Sequence, residues 1–153
     1  MAMSLETIIL KLNHELQGKK LLVAVSGGVD SMVLLHALKN LSPIVIHINH
    51  HKREESIQDE TLVSSFCIQE KLTYLVKHVD VKKGNFQAEA HALRQTIYLD
   101  LAHQFGVSTL LTAHHQDDHI ETIIMRILKG SALEYQAGLN LKQTIDGIVF
   151  YKP

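Results

Sequence analysis

The sequence predicts an α/β fold: a parallel sheet of about five strands with helices on both faces. Short apolar runs alternate along the chain with longer segments whose apolar residues recur every three or four positions. A glycine pair, Gly27-Gly28, directly follows the first apolar run, where a parallel strand would turn into a helix. Right-handed crossovers are expected between such strands. Because the strands are parallel, their carboxyl ends should share one edge of the sheet.

The elements are assigned in chain order from this periodicity. We predict helices at 4–17, from the glycine pair to about 40, 56–71, 88–105 and 117–128, and strands at 21–25, 44–48, 73–79, 107–112 and 148–151. The segment 131–146 is expected to be a loop or short helix. The candidate core residues of the helix at 56–71 are Ile57, Leu62, Phe66 and Ile68.

Composition bounds the function. The 153 residues suffice for one domain, and a net charge of −1 excludes a broadly basic surface for nucleic acid, so such contacts would have to be local. The single cysteine, Cys67, excludes an internal disulfide and an all-cysteine iron–sulfur site, and fits a reducing cytoplasm. We expect a cytoplasmic protein with no membrane partner, since the chain shows neither a signal peptide nor a bilayer-spanning apolar run.

The glycine pair opens a candidate anion site. Free N–H groups at a helix start attract anions, and glycines let a phosphate approach the backbone closely. Ser26 and Ser31 add hydroxyl donors, and Asp30 is placed to cap the helix or hold a metal. A Walker loop is excluded because the chain has no Gly-Lys-Ser/Thr triplet. A dinucleotide fingerprint is excluded because it needs three spaced glycines, whereas this loop has only two adjacent ones.

A second polar cluster, residues 112–122, follows the fourth predicted strand. Asp118 and Glu121 are three apart, so they share a face of the predicted helix. Carboxylates that face a phosphate site suit Mg²⁺. Two other interpretations stay open: acids that complement the helix dipole, and a zinc pair formed by His115 and His119.

Three polar segments follow predicted strand ends: residues 26–31, 47–53 and 113–118. Ligands of open α/β sheets bind beyond the carboxyl ends of the strands, near the point where the strand order reverses. We therefore expect the three segments to converge on one crevice.

Several motifs together carry a family resemblance. The loop Ser26-Gly27-Gly28-Val29-Asp30-Ser31 resembles the PP-loop of N-type ATP pyrophosphatases. Combined with His47-Ile48-Asn49-His50-His51 and the run Thr-Ala-His-His-Gln-Asp-Asp-His-Ile-Glu-Thr at 112–122, it resembles the tRNA(Ile)-lysidine synthetase family. The further agreements are Gln87-Ala88-Glu89-Ala90 leading to Arg94, Lys129-Gly130 with Gly138-Leu139, and Lys152-Pro153. The resemblance covers most of residues 20–153.

The resemblance implies a Rossmann-like fold of the adenine-nucleotide α-hydrolase type and a carbon–nitrogen ligase. The family uses ATP to adenylate C2 of the wobble cytidine of isoleucine tRNA with a CAU anticodon, releasing pyrophosphate. The ε-amine of L-lysine then displaces AMP. The implied cofactors are ATP and Mg²⁺, the implied partners are that tRNA and L-lysine, and a homodimer of the full-length protein stays open.

The resemblance also implies residue roles. The ATP phosphates would be bound by Ser26, Gly27, Gly28, Val29, Asp30 and Ser31. Asp30 and Asp118 would hold Mg²⁺, while Asp118 and Glu121 would bind metal or orient the lysine ammonium. Arg94 would stabilise negative charge and His114 would transfer a proton. The alternatives are a solvated helix arginine at 94 and a hydrogen-bonded structural histidine at 114.

Within or beside these motifs, single positions depart from the family pattern: His91, Gln95 and His119, and also Lys129 and Lys152, which stand where the family has arginine. Histidine or lysine cannot reproduce a bidentate arginine fork, so we expect these changes to affect the tRNA side more than the ATP loop. We expect residues 1–153 to be one PP-loop catalytic domain, truncated before C-terminal tRNA-binding domains. Two alternatives remain: another PP-loop tRNA-modifying enzyme, such as a thiolase or an amidotransferase synthetase domain, and a degenerate ATP-binding module without catalysis.

Overall fold

A computed structural model describes residues 4–49, 56–79, 86–112 and 142–151. In chain order these ranges form α1 (Leu5–Leu16), β1 (Leu21–Ala24), α2 (Val29–Leu38), a 3-10 turn (Lys39–Leu41), β2 (Ile44–Asn49), α3 (Ser56–Gln69), β3 (Tyr74–His78), α4 (Phe86–Phe105), β4 (Thr109–Thr112), β5 (Lys142–Ile145) and β6 (Ile148–Tyr151). The predicted elements in these ranges are confirmed to within about two residues at each end. The predicted helix at 117–128 lies outside the described residues.

The strands form one sheet in the order β3-β2-β1-β4-β6-β5, which confirms the α/β fold class. β1 pairs in parallel with both β2 and β4, and β6 continues the parallel part beside β4. The strand order reverses between β1 and β4, because the connection after β1 leads towards β2 and the one after β4 leads away from it. A ligand site is therefore expected beyond the carboxyl ends of these two strands.

One strand was not predicted. Residues 142–145, expected in a loop or short helix, form β5, which pairs antiparallel with β6 at the sheet edge. The hairpin turns at Asp146-Gly147, whose φ angles are 51° and 80°. An Asp-Gly pair tolerates this left-handed backbone and is typical of two-residue hairpins. The sheet therefore has six described strands, one of them antiparallel.

Three helices cover one face of the sheet. α1, α2 and α3 pack there against Leu21, Val23 and Val25 of the first strand and its extension. The core prediction for α3 is wrong in most positions: Ile57, Leu62 and Ile68 are 69%, 49% and 66% exposed, and Phe66 is half-buried. Val63 and Cys67 are buried instead, four residues apart on one helical face. The apolar residues of α3 occur on both of its sides, so their spacing did not determine which side packs.

The opposite face is covered by α4. Tyr98, Leu101 and Ala102 pack against Leu22 and Ala24, the strand residues that alternate with those of the first face. Leu93 of the same helix is 39% exposed. Within the described part of the chain, no helix has both the length and the apolar content needed to cross a bilayer.

Candidate functional site

The glycine loop joins β1 to α2 at the predicted edge of the sheet. The Val25 N–H still donates to the Ile46 carbonyl at 2.9 Å, so the ladder continues one residue past β1. Gly27 then takes a φ of +89°, and Gly28 is the extended N-cap of α2. A left-handed backbone at position 27 is readily accessible only to glycine, which is why the chain turns sharply here.

The side chains of two serines form hydrogen bonds within the loop. The buried Ser31 hydroxyl donates to the Gly28 carbonyl at 2.9 Å and accepts from the Ser26 N–H at 3.2 Å. The exposed Ser26 hydroxyl accepts from the Gly28 N–H at 3.2 Å, and the two hydroxyl oxygens lie 3.2 Å apart. Ser31 is therefore mainly an internal support in this structure, whereas Ser26 stands at the solvent side.

The first turn of α2 presents positive partial charge to solvent. Gly28 offers no side-chain cap, and the first N–H groups of a helix have no intrahelical acceptor. Val29 is 80% exposed and Asp30 is partly exposed in the same turn. The residues present thus fit an anion, with one carboxylate beside it to share a Mg²⁺ with a phosphate.

The third helix forms a wall of this loop. A Cβ placed on Gly27 would lie 2.6 Å from the Asp59 Cβ and 3.0 Å from its Cα. Glycine is therefore required at position 27 for close approach as well as for backbone angle. Asp59 was not among the predicted site residues, although its sequence signal is an acid in the first turn of a helix that follows a parallel strand.

The end of β2 also reaches the loop, as predicted for the described part of segment 47–53. The Nδ1 atom of buried His47 lies 2.8 Å from the Val25 carbonyl oxygen. Two residues on, Asn49 donates to Glu60 of α3 at 3.5 Å, and Glu60 also pairs with His78 of β3 at 3.2 Å. Residues 50–53 lie outside the described ranges.

Arg94 lies on α4, across the sheet from α2, and is partly exposed. Burial raises the pKa of Tyr98, one turn later, and the nearby Arg94 charge lowers it by a smaller amount. The predicted convergence of Arg94 and Asp30 on one crevice stays a prediction.

The remaining predicted site residues, His114, Asp118 and Glu121, lie outside the described residues. β4 ends at Thr112, which is the register partner of Ala24. Segment 113–118 lies outside the described residues. Its convergence on the loop stays a prediction. Within the described ranges no group of three or more histidine, cysteine, aspartate or glutamate side chains could hold a metal ion.

Known proteins resemble this chain in sequence and in fold. It is 36% identical over 134 residues to a tRNA(Ile)-lysidine synthase of an Aster yellows witches'-broom phytoplasma, covering 86% of this chain and 31% of that protein. It is 36% identical to a Listeria innocua bifunctional protein TilS/HprT, covering 88% and 22%, and 35% identical to a Ureaplasma parvum tRNA(Ile)-lysidine synthase, covering 92% and 44%. The chain thus spans less than half the length of these relatives.

A solved structure shares the fold. The U34-tRNA thiolase NcsA from Methanococcus maripaludis superposes with a TM-score of 0.68, covering 96% of this chain and 57% of that one at 16% sequence identity. A family model described as "PP-loop domain" matches residues 1–153. The match over the whole length agrees with the strand, glycine turn and helix described above, and the chain belongs to the PP-loop domain family.

Proposed function

We propose that this chain is the ATP-binding catalytic part of a tRNA(Ile)-lysidine synthetase. The observation that carries the proposal is the glycine loop, which offers an uncapped helix N-terminus and a close backbone approach at the reversal point of the sheet. The curated relatives, named tRNA(Ile)-lysidine synthases, support the choice of reaction. The family of PP-loop domains implies the use of ATP.

The proposed reaction has two steps. In the first, the C2 oxygen of the wobble cytidine in isoleucine tRNA with a CAU anticodon attacks the α-phosphate of ATP, and pyrophosphate leaves. In the second, the ε-amine of L-lysine forms a bond to C2 and AMP leaves with the oxygen. Both steps develop negative charge on phosphate oxygens, which the backbone N–H groups of the loop would stabilise. A Mg²⁺ held by Asp30 would supply further positive charge there.

Each predicted residue has a place in this proposal. The loop from Ser26 to Ser31 binds the phosphates and Asp30 holds Mg²⁺. Arg94 stabilises charge near the reacting groups, and His114 moves a proton. Asp118 and Glu121 bind metal or orient the lysine ammonium. With a net charge of −1, these 153 residues offer no broad basic surface for the body of the tRNA.

A thiolase is a less suitable assignment for this chain. Its one cysteine, Cys67, is buried in the core side of α3, and burial raises the pKa of that thiol to about 11. The thiolate that sulfur chemistry requires is therefore scarce at neutral pH. The likeness to a thiolase structure, at 16% identity, concerns the fold alone.

The nucleotide site is tested by calorimetry with ATP and Mg²⁺. We expect Gly27→Val to abolish binding and Asp30→Asn to weaken it about tenfold in the presence of Mg²⁺, with a smaller loss when EDTA is added. Equal ATP affinity of wild type and Gly27→Val would remove the loop from the site. An Asp30→Asn effect that is the same with and without Mg²⁺ would remove the metal role of Asp30.

The reaction is tested by incorporation of labelled lysine into isoleucine tRNA with a CAU anticodon, comparing this chain with the full-length protein. We expect incorporation by the full-length protein and little or none by the 153-residue chain. ATP binding without incorporation by either would favour a nucleotide-binding module that lacks catalysis. Comparable incorporation by both would show that the tRNA contacts lie within this chain.

A further inference from the structure

The buried histidine near the end of β2 contacts the residue that precedes the glycine loop. His47 is 3% exposed, and its Nδ1 atom lies 2.8 Å from the carbonyl oxygen of Val25, the residue before the loop begins. A carbonyl oxygen only accepts hydrogen bonds, so Nδ1 must be the donor in this contact. The ring therefore donates to the backbone at the point where β1 becomes the loop.

The other ring nitrogen of His47 is unusual. Among the described residues the buried Nε2 atom has no hydrogen-bond partner. Burial of an unpaired polar atom destabilises a fold, and buried polar groups normally find partners. His47 faces the same apolar core as Val45 and Val63, where an aliphatic side chain would avoid that penalty.

We propose that His47 is a positioning residue for the nucleotide, holding the Val25 carbonyl so that the glycine loop keeps its anion-binding shape. The inference rests on the proposed binding of ATP at this loop. Val25 is bound from two sides by neighbouring β2 residues: its N–H donates to Ile46 and its carbonyl accepts from His47. Two residues later, Asp59 of α3 fills the space beside Gly27 where a side chain would lie. The loop thus has fixed supports on both sides of Ser26.

A direct contact between Nε2 and the ligand is the competing role for the same ring. The Nε2 atom has almost no accessible surface, whereas Val29 and Ser26 at the mouth of the loop are exposed. The accessible groups therefore favour the loop itself as the ligand contact and Nδ1 as the functional nitrogen of His47. The two roles depend on different ring nitrogens, so substitutions can separate them.

The experiment compares His47→Asn and His47→Leu. The Asn amide nitrogen can occupy the place of Nδ1 and donate to Val25, but Asn has no atom at the place of Nε2. Leu fills much of the space and donates nothing. We expect ATP affinity within about threefold of wild type for His47→Asn and a loss of about tenfold or more for His47→Leu. Amide NMR shifts of Ser26 and Gly27, recorded without ATP, should move in His47→Leu and stay near wild type in His47→Asn.

Val63→Ala is the control for general destabilisation, since Val63 is buried on the same face. It should lower the melting temperature without a comparable loss of ATP affinity.

If His47→Leu does not fold, His47→Asn still decides: wild-type affinity supports the inference, and a tenfold loss in the folded variant overturns it. Unchanged loop shifts and affinity in His47→Leu would also overturn it. Failure of wild type to bind ATP would overturn the proposed function, while the loop shifts would still report whether His47 shapes the loop.

Discussion

α2 and α3 lie side by side on one face of the sheet and begin at the same edge, yet they are held differently. α2 is apolar on nearly every side, and half of its residues are buried, including Leu34, Leu35 and Leu38. In α3 the described buried residues are Val63 and Cys67 alone. α3 contacts β2 and the edge strand β3, whereas α2 follows the central strand β1.

The difference shows how position in the sheet determines what a helix needs from its sequence. A helix beside the central strand is enclosed by neighbours, and composition alone indicates its burial. A helix near the sheet edge has an open side, and polar contacts contribute to its orientation. In α3 these contacts lie near its start: Asp59 meets the glycine loop at Gly27, and Glu60 binds Asn49 and His78.

The contact between α3 and the loop of α2 is the most sensitive point of this pair. Gly27→Ala should destabilise the fold by about 2–5 kcal/mol, because a left-handed alanine costs about 1–2 kcal/mol and overpacking against Asp59 adds about 1–3 kcal/mol. Urea unfolding measures this loss. ATP affinity should fall in the same variant.

Gly18→Ala is the matched control for Gly27→Ala. Gly18 has a similar φ of +81°, but a Cβ there would meet nothing within 4 Å. The control should therefore lose only the backbone part, about 1–2 kcal/mol. Equal losses in the two variants would show that Asp59 yields easily and that α3 does not constrain the loop.

The packing side of α3 is tested by two truncations on the same helix. Val63→Ala should lower the free energy of unfolding by about 2 kcal/mol, since it removes buried methyl groups and leaves a cavity. Ile57→Ala should change it by less than about 0.5 kcal/mol, because the side chain is 69% exposed. A larger loss for Ile57 than for Val63 in chemical denaturation would reverse the assignment of the buried face.

Periodicity and turn chemistry predicted much of this fold. The run at β1, the glycine turn and the apolar α2 followed from local sequence, because each local preference agrees with the final structure. Local patterns were insufficient for α3, since apolar residues lie on both of its sides. They were also insufficient for β5, a short edge strand that depends on pairing with β6.

In the candidate site, too, local features were predictable from the sequence and long-range contacts were not. The positive φ of Gly27 and the helix start at Val29 were predictable from the loop sequence. The approach of segment 47–53 was predicted from the strand ends, but the specific His47 hydrogen bond to Val25 and the Asp59 contact with Gly27 were not, because they join elements distant in sequence. Long-range contacts of this kind depend on the register of neighbouring strands and helices, which one sequence does not reveal.

Within the glycine loop, the two serines should differ in their effect on stability. Ser31→Ala removes a buried hydroxyl that bonds the Gly28 carbonyl and the Ser26 N–H, so we expect a loss of about 1–2 kcal/mol. Ser26→Ala removes an exposed hydroxyl and should cost under about 1 kcal/mol. Thermal melts of both variants provide the comparison, and a larger shift for Ser26→Ala would contradict the internal role of Ser31.

The smallest expected effect concerns the far ends of the same two helices. Lys39, just after α2, lies 3.5 Å from Glu70, just after α3, and each side chain is between a quarter and a third exposed. Exposed pairs of this kind contribute about 0.2–1 kcal/mol. A double-mutant cycle of Lys39→Met and Glu70→Gln should therefore give a coupling energy in that range, measured by urea unfolding at low salt. At about 1 M NaCl, where the Debye length is about 3 Å, the coupling should largely vanish. ATP affinity should be unchanged, because the pair lies at the opposite end of α2 from the glycine loop. A coupling above about 2 kcal/mol that persists in salt would mean that the distal ends also hold α3 in place, and its orientation would then no longer depend mainly on the contacts beside the loop.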